Sequence, residues 1–500
     1  MDNDLKVSRR TLLNSALALA ATQITPAIAF GERENHQYDV RQSGVAGSGR
    51  RQGPPNIVFI IMDDQRFDDL SSTGHPYAKT PHIDRIAHEG VQFVNARCTT
   101  PLCSPSRASH LTGLYVHTHR IQNNDKDGLG DISHFLPTVP RLLHTAGYET
   151  AFIGKWHMGF DDTVRPGFDN WISFRALGLY ENNVFNVNGN REQSRGYMTD
   201  YLNERAVEFI RKPKNGPFAM YLAYLAVHSP YLPAARYNNL YTNDSFRAPT
   251  IAPGDLEGKP VLRRPIPPVD FLEITDATPQ PQESRNQRPG GLDAVTRDRA
   301  RCLASVNDGV GMILDALEQT GELDNTIIVY TSDHGYLMGE HGIDEEKRWA
   351  YEPSLRIPLF MRYPKAIPAG SVRAQNALNI DIAPTLLELA GVQSHGTMHG
   401  KSLVPVLANA EAPLRDSYLC EYFFEKAIPN VPKWQCARKG QWKYIHYPEL
   451  VDMDELYDLS SDPREESNLA NRSSSSPTLT EMKKEMDRLL AATGGDLAIV

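Results

Sequence analysis

The chain has 500 residues, 40% of them hydrophobic and 23% charged, and a formal net charge of −9 from 52 Lys and Arg against 61 Asp and Glu. That length buries a substantial core, and the acid excess argues against the basic face of a nucleic-acid binder. No apolar run reaches the roughly 18 residues of a membrane span, and five cysteines do not make a disulfide scaffold.

The amino end reads Ser8-Arg9-Arg10-Thr11-Leu12-Leu13, then an Ala/Leu-rich middle interrupted by Asn14, Thr22 and Gln23, then Pro26 and Ala27-Ile28-Ala29. A charged start, an apolar middle and an A-x-A-like exit predict an export signal over 1–29. The adjacent arginines give it a twin-arginine look. The segment carries Asp2 and Asp4 against Lys6, Arg9 and Arg10, a net +1, so its removal moves the charge from −9 to −10. The expectation is a periplasmic or secreted bacterial protein, in a compartment that permits disulfides. Residues 30–53, polar and rich in Gly, Arg and Gln, read as a disordered tether.

Order begins with Asn56-Ile57-Val58-Phe59-Ile60-Ile61-Met62, a continuous apolar run suited to a strand buried on both faces. Residues 219–227 and 326–330 are further such runs. Helical patterns at 80–89, 138–146, 201–211 and 296–319 lie between and beside them. The alternation predicts an α/β fold over 54–400, with a large, mostly parallel central sheet flanked by helices. The Pro-, Arg- and Gln-dense stretch 248–291 reads as a surface insertion. Beyond 400 the texture changes. Residues 442–446 and 455–459 read as hairpin strands, 473–476 as a loop and 479–492 as a terminal helix. Residues 401–500 therefore read as a smaller α+β subdomain with a short antiparallel sheet.

Asp63-Asp64 directly follows the first strand. Asp333-His334 follows the 326–330 run, with Gly335 allowing a sharp exit. In open α/β sheets sites form beyond the carboxyl ends of strands. Adjacent carboxylates repel unless a cation lies between them, and such ligands suit Ca²⁺ or Mg²⁺, although imidazole is a softer donor. One acidic dipeptide alone reads as well as a solvated turn; two at matching strand ends favour a metal. Next comes Cys103-Ser104-Pro105-Ser106-Arg107. Ser104 reads as an N-cap and Pro105 as the first helical residue, which puts Cys103 at the positive end of a helix with Arg107 one turn on. This is either an activated nucleophile beside an anion clamp or a buried structural cysteine. Lys155, His157, His228 and Lys347, taken singly, read equally well as structural or surface residues.

Cys-x-Pro-x-Arg followed by Ala108-Ser109-His110-Leu111-Thr112-Gly113 resembles the signature of the type I sulfatases, formylglycine-dependent hydrolases of the alkaline-phosphatase-like superfamily. Four more segments match in the family's order: Gly147 to Gly159, Val227-His228-Ser229-Pro230, Thr331 to Gly335 and Lys347 to Glu352. The resemblance runs from Pro55 to the Leu456-Tyr457-Asp458-Leu459 region. It implies that a separate maturase oxidises Cys103 to formylglycine, whose hydrate attacks sulfur and is regenerated as sulfate leaves. It implies one Ca²⁺, with Mg²⁺ or Mn²⁺ as second choices, held by Asp63, Asp64, Asp333, His334 and residue 103. Many relatives carry Asn or Gln where His334 stands. Arg107, Lys155 and Lys347 correspond to the sulfate-binding cations, His157 to the group that deprotonates the second hydroxyl, and His228 to the general acid.

His117, His119, Asn123 and Asn124, with Pro166-Gly167-Phe168-Asp169 and Asn186-Val187-Asn188-Gly189, are similar to the N-acetylglucosamine-6-sulfatase-like branch. The substrate implied is an O-sulfated polysaccharide or oligosaccharide. A phosphatase or phosphonate monoester hydrolase of the same superfamily is the alternative, although such sites usually use Ser or Thr and two metals. A non-catalytic glycan binder and a thiol-dependent protein are further readings. Cys98 fits neither a redox nor a zinc spacing, and Cys420 and Cys436 are a candidate hairpin disulfide.

Overall fold

The computed structural model describes residues 53–124, 129–247, 249–265, 291–394, 396, 398–426 and 428–495. The export signal, nearly all of the tether and residues 266–290 of the insertion lie outside the described residues. Ten strands form the main sheet: β1 (Asn56–Met62), β2 (Val91–Phe93), β4 (Glu149–Gly154), β5 (Asn170–Ser173), β6 (Val184–Val187), β7 (Asn190–Gln193), β8 (Phe218–Ala223), β9 (Thr326–Ser332), β10 (Leu359–Arg362) and β11 (Ser371–Arg373). Their order is β11-β2-β10-β9-β1-β8-β4-β5-β6-β7. Two short strands, β3 (Ala96–Arg97) and β12 (Ala377–Leu378), pair separately.

The central five, β9-β1-β8-β4-β5, are parallel, and β10 and the β6–β7 hairpin turn antiparallel at the flanks. Every residue of β1, β8 and β9 is buried. That explains their unbroken apolar runs: helices cover both faces, so no position alternates toward water. Helix Gly291–Gln319 packs on helices Met198–Arg211 and Pro81–His88 on one side, and helices Val139–Thr145 and Ile382–Ala390 lie on the other.

A second, antiparallel sheet runs in chain order through β13 (Ser417–Tyr422), β14 (Trp434–Lys439), β15 (Trp442–His446) and β16 (Glu455–Asp458), with helix Ser476–Thr493 packed on it. No described helix is long and apolar enough to cross a membrane.

Three expectations change, and one sequence motif proves to be a turn. The 219–227 run stops being a strand at Ala223. Ser473–Ser475 is a single 3-10 turn leading into the last helix rather than a loop. Asn188-Gly189 is the two-residue connection of the β6–β7 hairpin. Both residues have positive φ (51° and 92°), as a type I′ turn demands. Cys420 and Cys436 face each other across β13 and β14, but as free buried thiols.

Candidate active site

The parallel register sets the site. β1 and β9 run level to the pair Met62 and Ser332, so Asp63 and Asp333 emerge side by side from adjacent strands. β4 and β8 run level to Gly154 and Ala223, which places Lys155 next along the same sheet edge, its amide donating to the Ala223 carbonyl at 2.9 Å. The chain leaving β8 delivers His228. One carboxyl edge of the sheet thus gathers side chains as far apart in sequence as Asp63 and Asp333.

The signature helix is Cys103–Thr112, buried at every position. Its N-cap is Leu102 and Cys103 is its first residue, so Ser104 is not the cap. The Ser104 hydroxyl instead donates to the His157 carbonyl, and the Ser106 hydroxyl to the Asp333 carbonyl. These two bonds tie the first turn to both neighbouring strand ends. Arg107, one turn on, points back as its spacing requires. Its Nε donates to Asp333 Oδ2 at 3.1 Å, its Nη1 to the Lys155 carbonyl at 2.9 Å, and its Nη2 lies 3.4 Å from Asp63 Oδ2.

Cys103 Sγ is 3.5 Å from Asp63 Oδ1, 3.5 Å from His334 Nε2 and 3.1 Å from Lys347 Nζ. Lys155 Nζ pairs with Asp63, and Lys347 Nζ with Asp64 Oδ1 at 2.6 Å. His228 Nε2 is 3.8 Å from Asp64 Oδ2, and its Nδ1 faces the Ser229 carbonyl at 2.7 Å. His157 Nδ1 is buried with no hydrogen-bond partner among the described residues. Asp64 and His157 both hold left-handed φ (59° and 57°). Strain of this kind persists where the surroundings over-determine it.

The electrostatics follow from burial against close charge. Burial alone would raise Asp63 and Asp64. Lys155 chiefly on Asp63, and Lys347 chiefly on Asp64, hold both well below the usual carboxylate range. Burial and Asp63 push the Cys103 thiol up, but Lys347, Lys155 and the His334 hydrogen bond bring it down to about 6. Burial pushes Asp333 up to about 7, with Asp63 adding to it. Burial drives His157 and His228 toward the neutral form.

Asp63, Asp64, Cys103 and His334 each offer one ligand atom, all four within 4.8 Å of one another. Three of these are hard or borderline donors in a buried, acid-rich spot, a set that fits a divalent cation. Asp333 stands at the edge of the group. Its Oδ2 is taken by Arg107, and its Oδ1 accepts the amides of Asp64 (3.2 Å) and His334 (2.9 Å). Sequence reading did not single out Arg348 or Glu425, which pair directly behind Lys347. The only pattern near them was the Lys347 to Glu352 motif.

The sulfatase family profile matches residues 55–392, and the profile of the N-sulphoglucosamine sulphohydrolase C-terminal region matches 339–492. An N-acetylglucosamine-6-O-sulfatase of Bacteroides thetaiotaomicron is 33% identical over 491 residues, covering 88% of this chain and 86% of that protein. The Homo sapiens N-acetylglucosamine-6-sulfatase is 31% identical, covering 85% and 82%. A solved structure in complex with its substrate D-glucosamine-2-N,6-O-disulfate superposes with a TM-score of 0.77 at 30% identity, covering 89% of this chain and 98% of that one. The phosphonate monoester hydrolase of Agrobacterium radiobacter shares the fold, with a TM-score of 0.70 at 23% identity, covering 88% and 96%. The matched stretch contains the whole main sheet and every residue of the thiol, acid and cation cluster at its edge, and the chain belongs to the sulfatase family, the sulfuric ester hydrolases of the alkaline-phosphatase-like superfamily.

Proposed function

We propose that the protein is an exported carbohydrate sulfatase that removes a 6-O-sulfate from N-acetylglucosamine-type residues of a polysaccharide or oligosaccharide. The observation that carries this reading is Cys103 at the first turn of a buried helix, with Lys347 Nζ 3.1 Å from its sulfur and Lys155 and Arg107 on the flanking carboxylates. Three fixed cations around one nucleophile position suit a tetrahedral anionic group such as a sulfate ester. The substrate class rests on the relatives: two N-acetylglucosamine-6-sulfatases and a complex with a 6-O-sulfated glucosamine.

Formylglycine made from Cys103 by a maturase would supply the attacking oxygen. One Ca²⁺, or less readily Mg²⁺ or Mn²⁺, held by Asp63, Asp64, Asp333, His334 and residue 103, would supply positive charge to the sulfate oxygens. Arg107, Lys155 and Lys347 orient the sulfate and offset charge as it develops. Burial, with Lys155 beside it, holds His157 in the neutral form a general base requires, and its Nδ1 meets no hydrogen-bond partner among the described residues. His228, with Nε2 3.8 Å from Asp64 Oδ2, is the residue assigned to protonate the leaving oxygen. Residues 1–29 serve as the export signal, 54–400 carry the chemistry and 401–500 pack against them.

Two measurements test this. Mass spectrometry of the tryptic peptide containing residue 103, from active protein of the native host, is expected to show loss of sulfur. A retained thiol in active enzyme would sink the formylglycine reading. A panel of 6-O-, 3-O- and 2-N-sulfated glucosamines alongside phosphate monoesters is expected to give fastest turnover on a 6-O-sulfate. Preferred turnover of the phosphate esters would instead support the phosphatase alternative.

A further inference from the structure

A closed ring of contacts surrounds the nucleophile segment and passes through the chain that leaves β13 of the C-terminal sheet. On one side the Arg348 amide donates to the Pro101 carbonyl at 3.0 Å. On the other, the Ser104 amide donates to Asn124 Oδ1 at 3.0 Å. Glu425, just beyond the end of β13, joins the two. Its Oε1 accepts the Asn124 amide at 3.0 Å, and its Oε2 accepts Arg348 Nε and, at 3.3 Å, the Tyr422 hydroxyl. Glu425 is only 2% exposed. Arg348 is pinned from three further directions. Its Nη1 meets Glu346 Oε1 at 2.7 Å, Trp434 Nε1 donates to its carbonyl at 2.6 Å, and its φ is held at 71°. The residue before it is Lys347, whose ammonium touches Cys103 Sγ and Asp64.

A carboxylate suits this place better than any neutral group. It accepts from both partners at once, and its charge matches a buried guanidinium that would otherwise be incompletely paired. The backbone of residues 101–104 and the loop bearing Lys347 are thereby fixed relative to each other by a residue in a different part of the fold. We propose that Glu425 is a positioning residue for the sulfatase reaction: through Arg348 and Asn124 it holds Lys347 and residue 103 in one frame. The kinetic half of this inference rests on the sulfatase reading; the geometric half does not.

The test uses full-chain enzyme with residue 103 matured, comparing wild type, Glu425→Gln and Met486→Ala. Met486 is a buried core residue of the last helix outside the ring, so its truncation loosens the C-terminal region by cavity formation alone. Two quantities are read: kcat and KM on a 6-O-sulfated N-acetylglucosamine, and deuterium uptake of the peptide spanning 99–107. Glu425→Gln is expected to lower kcat about 100-fold with a smaller change in KM, the scale of an ångström-level misplacement, and to raise uptake in that peptide. Met486→Ala is expected to lower Tm while leaving both quantities near wild type. Turnover of Glu425→Gln within threefold of wild type, unchanged uptake, or an equal loss in Met486→Ala would each overturn the proposal. If Glu425→Gln does not fold, Asn124→Ala replaces it. That variant cuts the ring at Ser104, and the same fall in kcat and rise in uptake are required. A wild-type enzyme inactive on every sulfated sugar would count against the sulfatase reading, and the uptake comparison would still decide the ring.

Discussion

Lys347 is 5% exposed, and its ammonium is shared between a carboxylate and the nucleophile position. Such a cation is worth most where water is excluded, because nothing reorganises when charge develops. Lys347→Met keeps the length and removes the charge. The expected result is a loss of about 100- to 1000-fold in kcat/KM on sulfated substrate with the fold retained, read by steady-state kinetics beside circular dichroism. Near-wild-type turnover would show that Lys347 only balances Asp64. The residues brought together here were legible because each sits in a motif, most of them at a strand end or a helix start. Asn124 was singled out only for a likeness to one branch of the family, and Glu425 not at all. Its partners lie 301 and 77 residues away in sequence, so no local spacing announces them. Ser104 shows the same limit from the other side. A serine before a proline looks like a cap, but the hydroxyl is claimed by the His157 carbonyl of a distant strand end.

The elements owe their placement partly to two glycines. Gly335 was expected to permit a sharp exit from β9. Its φ is ordinary, and the requirement is space: a Cβ there would stand 2.1 Å from the Pro353 carbonyl oxygen. Gly154, the last residue of β4, needs both freedoms. It holds φ +120°, and a Cβ would stand 1.8 Å from the Ala223 carbonyl oxygen, the same oxygen that receives the Lys155 amide. Gly154→Ala must therefore part β4 from β8 where Lys155 is aimed. Backbone strain and overpacking together amount to about 3 kcal/mol or more, a shift that a urea unfolding curve would resolve. An unchanged midpoint would mean the strand ends can separate freely. The parallel strands were legible because burial on both faces leaves continuous apolar runs. β13 and β14 were not, for a related reason. Both are buried nearly throughout yet hold Glu421, Gln435 and Arg438, so they show neither an apolar run nor clean alternation. Glu421 is matched from another part of the fold, by His117.

At the scale of the whole molecule, buried charge joins the C-terminal sheet to the main one. Glu352, five residues beyond Lys347, receives Arg97 of β3 at 2.7 Å and Lys443 of β15 at 3.2 Å, and Lys443 also meets Glu465 at 2.6 Å. A second seam carries a titratable histidine. His117, just past the signature helix, places Nδ1 3.0 Å from Glu421 of β13 and Nε2 3.1 Å from the Thr493 carbonyl at the end of the last helix. Burial would lower its pKa, and Arg120 pushes the same way. The Glu421 hydrogen bond and charge together with the Thr493 carbonyl outweigh them, and the result is raised above the usual histidine value. His399 also faces it, 5.8 Å away between ring centres. A histidine whose pKa is higher folded than unfolded adds stability that is complete below its unfolded pKa and fades as pH climbs through the folded one. His117→Gln keeps a neutral hydrogen-bonding side chain and cannot charge. Its Tm deficit relative to wild type is therefore expected to be largest near pH 5.5 and to shrink steadily toward pH 9. The pair of melting series checks this directly. A deficit that stays constant, or grows with pH, would mean that His117 binds Glu421 in its neutral form and that this seam carries no charge.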